Sequence, residues 1–112
     1  MGNVNLIKKA AAEKARLFLC AVNWGEVYYG MRRAGGKNAD DDVAADLSRI
    51  PIELVDADVH LAKQAAVYKA TNRMSYADAF AAALATIKNA ELVTGDAEFK
   101  PLEKEIKLSW LK

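Results

Sequence analysis

Three acidic residues follow or open apolar segments in this chain. Glu26 comes after Leu17-Phe18-Leu19-Cys20-Ala21-Val22, Asp78 opens a long alanine-rich stretch, and Asp96 follows Glu91-Leu92-Val93-Thr94-Gly95. If the apolar runs are neighbouring parallel strands, the carboxylates gather at one end of a sheet. That is the end at which open parallel sheets bind ligands. Clustered carboxylates repel one another unless a cation or a proton intervenes. The residue types therefore point to a hard divalent metal and to hydrolytic chemistry. Each acid alone also has a plain use, as a helix glutamate, a helix cap or a turn residue. The case for a site rests on all three falling at one edge. Thr94 adds a hydroxyl beside Asp96 that can orient a carboxylate or a metal-bound water, although threonine is equally at home in a strand.

Other chemistries are poorly supplied. His60 is the only histidine, which leaves no nucleophile triad, and with Cys20 as the single cysteine zinc lacks its usual ligands. Cys20 sits in an apolar run and reads as a small core residue. Gly35-Gly36 follows a helical segment, the reverse of a phosphate-binding loop.

The elements that must position the acids can be read in order. Residues 4–16 carry Leu6, Ile7, Ala10 and Ala11 at helical spacing, and residues 16–22 form an apolar run short enough for a buried strand. Asn23 is expected to cap a helix through Trp24, Val27, Tyr28 and Met31 that stops at Gly35-Gly36. Trp24, Tyr28, Tyr29 and Met31 cannot all face inward, which suggests an oligomer or partner surface. The aspartate-rich residues 37–42 should introduce a helix over 43–48 that ends before Pro51. Residues 52–55 read as a short strand. Asp56 or Asp58 then caps a helix whose inner stripe is Val59, Ala62, Ala66, Val67 and Ala70, and Asn72 ends it. Ser75-Tyr76-Ala77-Asp78 has capping-box spacing, and the apolar helix it opens is closed by Asn89. Residues 91–94 form a strand, a short helical turn surrounds Pro101, and residues 106–110 alternate as an edge strand does. Strands alternating with helices imply an α/β fold with a mostly parallel sheet flanked by helices.

Composition is compatible with one such domain. The 112 residues are 53% hydrophobic and 28% charged with a net charge of +1, which excludes the disordered class and leaves nucleic-acid binding to local basic groups. Arg32, Arg33 and Lys37 after the Glu26 helix, and Lys69 and Arg73 before Asp78, are such groups. No run suits a membrane span or a signal peptide, so a cytoplasmic protein is the expectation.

Three segments together resemble a PIN domain of the VapC toxin branch: Asn23-Trp24-Gly25-Glu26-Val27-Tyr28-Tyr29-Gly30, Ser75-Tyr76-Ala77-Asp78-Ala79-Phe80, and Leu92-Val93-Thr94-Gly95-Asp96-Ala97-Glu98-Phe99. Their order and spacing span almost the whole chain. The resemblance implies a metal-dependent ribonuclease in which Glu26, Asp78 and Asp96 hold Mg²⁺ or Mn²⁺ and, with Thr94, form the catalytic site. It further implies an RNA substrate, a VapB-like antitoxin partner and a homodimer. The departure lies at the start. Such domains open with a central strand ending in Asp, and neither is present here; Asn3 and Asn5 do not replace that acid. Residues 1–112 are thus expected to be a single N-terminally truncated PIN-like domain with its first central strand absent. Impaired cleavage, or a non-catalytic remnant that dimerises or binds a partner, follows from that departure.

Overall fold

A computed structural model of the chain describes residues 6–8, 17–35 and 52–110. Within them five strands form one sheet: β1 (Leu6–Lys8), β2 (Leu17–Cys20), β3 (Ile52–Val55), β4 (Glu91–Thr94) and β5 (Leu108–Trp110), in the spatial order β3-β2-β1-β4-β5. The described helices are α1 (Ala21–Gly35), α2 (Val59–Thr71) and α3 (Tyr76–Lys88), with a 3₁₀ helix at Ala97–Leu102. Residues 37–42, the helix expected over 43–48, and Gly36, Pro51, Asn3 and Asn5 lie outside the described residues.

β2 pairs with β3 in parallel, and β4 with β5. β1 runs antiparallel to both β2 and β4. The strands other than β1 therefore share one direction, as the alternating strand–helix order requires, and their carboxyl ends line one edge of the sheet.

The centre of the sheet departs from expectation. The central position is not empty; β1 fills it with its direction reversed. The helix expected over residues 4–16 likewise gives way to a strand at Leu6–Lys8, the rest of that span lying outside the described residues. The physical reason is tertiary. An open position between β2 and β4 presents unpaired backbone donors and acceptors on both sides, and an extended segment satisfies both rows at once. Leu6 and Ile7 fit strand and helix patterns equally well, so pairing decides.

α3 is the pillar of the fold. Ser75 caps it, its hydroxyl accepting from the Asp78 N–H at 3.1 Å. Asn89 closes it in the left-handed region at φ 51°, which asparagine tolerates. Residues 77–85 are all buried, and most are alanines. Such small side chains let the helix lie close against β2, β1 and β4 while also meeting α1 and α2. The surrounding core includes Phe18, Leu84, Leu92, Phe99 and Leu102.

α2 corrects a second expectation. Asp58 caps it, accepting from the Leu61 N–H at 2.8 Å, and Asn72 ends it, as anticipated. Its buried stripe, however, is Leu61, Ala65 and Tyr68, whereas Val59 is 85% exposed and Val67 52%. Two stripes at helical spacing competed, and the one with larger side chains buries more apolar area. The Tyr68 hydroxyl also pairs with Thr86 Oγ1 at 2.7 Å on α3, which fixes the rotation of α2.

Candidate metal centre

Chain geometry brings Asp78 to the sheet edge. Only residues 89–90 separate α3 from β4, so helix and strand run antiparallel and the start of α3 returns to the carboxyl end of β4. Asp78 lies in the first turn of α3 and is 7% exposed. The positive end of the helix dipole and the Ser75 cap favour an anion there. Asp96 lies just beyond β4 and caps the 3₁₀ helix, one carboxylate oxygen accepting from the Glu98 N–H at 2.9 Å. Its own N–H donates to Thr94 Oγ1 at 3.0 Å. Thr94 is fully buried, so its hydroxyl oxygen anchors the turn that carries Asp96.

Asp78 and Asp96 converge as the sequence suggested, and Glu98 joins them. One carboxylate oxygen from each of the three lies within 4.8 Å of the others. At an effective dielectric of about 20, two unit charges about 5 Å apart repel by about 3 kcal/mol. A divalent cation offsets this repulsion. The donors are oxygen only, which suits Mg²⁺, Mn²⁺ or Ca²⁺ and not zinc.

Glu26 stands outside this group. It is exposed on α1, and partial burial of its carboxyl raises its pKa above the ordinary glutamate range. Its helix is tied to α3: Asn23, three residues earlier on the same helix face, donates through Nδ2 to the Ala77 carbonyl at 3.0 Å. That contact ties the first turn of α1 to the first turn of α3.

Asn23 does not cap α1, which begins at Ala21. The backbone N–H groups of Val22 and Asn23 instead bond the Cys20 sulfur, although burial outweighs them and pushes the thiol pKa up. Cys20 is thus the inert core residue expected, and Asn23 is free for a tertiary role at 2% exposure.

Glu98 was not singled out by the sequence reading. Its signal was the two-residue spacing from Asp96, across a turn in which the first acid caps the second. Asn23 was missed as a tie because its type suited a cap equally well.

Basic groups lie in the connection into α3 and in the last turn of α1. Lys69 Nζ donates to the Met74 carbonyl at 2.9 Å, across the connection into α3, and Arg73 is exposed in that connection. On α1, Trp24, Tyr28, Tyr29, Arg32 and Arg33 line a groove of about 390 Å³. Trp24 and Tyr28 stack there with ring centroids 5.1 Å apart.

Comparison with known families finds a PIN domain over residues 3–105. The chain belongs to the PIN-domain family. Among solved structures, it is similar to a chain from the crystal structure of VapBC2 from Rickettsia felis bound to a DNA fragment from their promoter. The identity is 19% and the TM-score 0.66, over 85% of this chain and 74% of that one. At that identity the likeness speaks to fold, which agrees with the α/β architecture above. A search of curated proteins finds no match. In this PIN domain the acidic group, with its hard oxygen donors, fits a divalent metal. No described helix is long and apolar enough to cross a membrane.

Proposed function

We propose that this PIN domain is a divalent-metal-dependent endoribonuclease of the VapC toxin type, with a weakened site. The observation that carries the reading is the convergence of Asp78, Asp96 and Glu98 within 4.8 Å at the carboxyl edge of the sheet. Asp78, Asp96 and Glu98 would hold Mg²⁺ or Mn²⁺, with Glu26 on the neighbouring α1 adding negative charge. When bound, such an ion would supply Lewis-acid activation of water and positive charge toward a scissile phosphate. Thr94 keeps the Asp96 turn in place, and Lys69 and Arg73 contact phosphates flanking the cleaved bond.

The weakening follows from β1. Leu6 pairs with Val93 and Lys8 with Glu91, so the Leu6 end of the reversed strand meets the acidic edge. Leu6-Ile7-Lys8 contains no carboxylate, so the central strand adds none to the group. Cleavage is therefore slow and demands millimolar metal. The test is cleavage of single-stranded RNA with Mg²⁺ or Mn²⁺ by the parent and by Asp96→Asn. Slow parental cleavage lost in the variant supports the reading. Equal rates in both remove the site assignment, and vigorous parental cleavage at micromolar metal removes the weakening.

The groove on α1 supports a partner role beside catalysis. Its stacked aromatics and two arginines suit an acidic, apolar segment of a VapB-like antitoxin or a second copy of this chain. The similarity to a chain of the VapBC2 assembly points the same way. A domain that binds its partner but cleaves no RNA at any metal concentration is the alternative, favoured by the reversed β1.

A further inference from the structure

β5 ends on a tryptophan at the edge where the acids gather. It pairs with β4 in parallel, Leu92 opposite Leu108 and Thr94 opposite Trp110. Leu92 and Thr94 are buried on one face of the sheet, and residues in register on parallel neighbours share a face. Leu108 accordingly packs against the core. Trp110, two residues nearer the carboxyl edge on an outermost strand, stays 40% exposed. Its partner Thr94 is the residue whose hydroxyl accepts from the Asp96 N–H. One strand spacing and two residues of chain separate the Cα atoms of Trp110 and Asp96, a distance of at most about 12 Å. Single exposed apolar side chains are ordinary; this one is set apart by its type and its place.

We propose that Trp110 is a substrate-binding residue whose indole stacks on an unpaired base of single-stranded RNA, beside the phosphate that faces Asp78, Asp96 and Glu98. The inference rests on the ribonuclease reading above and adds to it the contact that selects the form of the substrate. Carboxylates repel an approaching polyanion, so part of the affinity has to come from a group that carries no charge. Stacking on an aromatic ring supplies it, and it tolerates any sequence because every base has a π-face. In duplex RNA the bases are paired and stacked on one another, which closes this contact.

The experiment measures binding of labelled single-stranded and duplex RNA by fluorescence anisotropy with Ca²⁺ present, together with Tm, for the parent, Trp110→Ala, Trp110→Leu and Trp110→Phe. Trp110→Ala weakens single-strand binding about 10-fold and leaves duplex binding unchanged. Trp110→Leu keeps apolar bulk but has no π-face, and loses as much as Trp110→Ala. Trp110→Phe keeps most of the affinity. A purely structural role predicts otherwise: Trp110→Leu equal to Trp110→Phe, or losses on both RNAs that follow Tm, and either result overturns the proposal. If Trp110→Ala does not fold, the comparison of Trp110→Leu with Trp110→Phe decides alone. Parental single-strand affinity in Trp110→Ala with a changed sedimentation coefficient would make Trp110 a contact between copies, and overturns the proposal as well. A parent that binds no single-stranded RNA removes the ribonuclease reading and this inference with it. Parental cleavage that is lost in Asp96→Asn but keeps its KM in Trp110→Ala overturns the inference alone.

Discussion

The acidic edge has two arms, and they are built differently. On the α3–β4 arm, each acidic residue takes part in a local capping hydrogen bond. Asp78 follows the Ser75 cap, Asp96 caps the 3₁₀ helix, and Glu98 is the residue whose N–H that cap receives. On the α1 arm, Glu26 is exposed and outside the group, and its helix is joined to α3 by packing and by the Asn23 amide. Local capping chemistry positions a carboxylate using only a few neighbouring residues. Positioning by packing between distant elements leaves this side chain at the margin. In the proposed reading the first arm would hold the metal and the second would tune it.

Removing carboxylates one at a time breaks or confirms this division. Glu98→Gln is expected to weaken Mn²⁺ binding by about 10-fold or more, and Glu26→Gln by less, as a group that acts through water does. Isothermal titration of both variants decides the order, and a larger loss from Glu26→Gln would make α1 the principal arm.

A smaller effect is expected from the cap. Ser75→Ala removes the acceptor for the Asp78 N–H and should cost about 1 kcal/mol of stability in denaturant unfolding, with a parallel loss of metal affinity. An unchanged affinity would show that α3 holds Asp78 without its cap.

The smallest effect concerns pH. Burial raises the Glu26 pKa in the folded protein, so the folded state binds that proton more tightly than the unfolded chain. Its contribution to stability is complete below the ordinary glutamate range and is lost as pH rises through the folded value. Without metal, Glu26→Gln should therefore match the parent in Tm at acid pH and exceed it slightly at neutral pH. A variant less stable than the parent at neutral pH would mean that Glu26 is paired there.

Much of the first arm was legible in the sequence because its rules are local. Ser75, Asn72, Asn89 and Asp58 each end or begin a helix as their types predict, and β3 and β4 fall where their apolar runs do. The parts that were not legible depend on distant partners. Leu6 and Ile7 carry no mark of the strand they join, since β2 and β4 are brought to them only by the fold. α2 offered two stripes, and the Tyr68–Thr86 pair chose between them. Asn23 read as a cap until α3 placed the Ala77 carbonyl against it. Glu98 has Asp96 two residues before it, and only the return of α3 to the end of β4 adds Asp78 to the pair.

The most direct test is a crystal structure of this PIN domain grown with Mn²⁺, with the ion located by its anomalous scattering. The account predicts a peak bound by carboxylates of Asp78 and Asp96, with Glu98 in direct or water-mediated contact and Glu26 reaching it through water. A peak bound elsewhere, or none at millimolar Mn²⁺ in crystals with the acidic edge open to solvent, would contradict it.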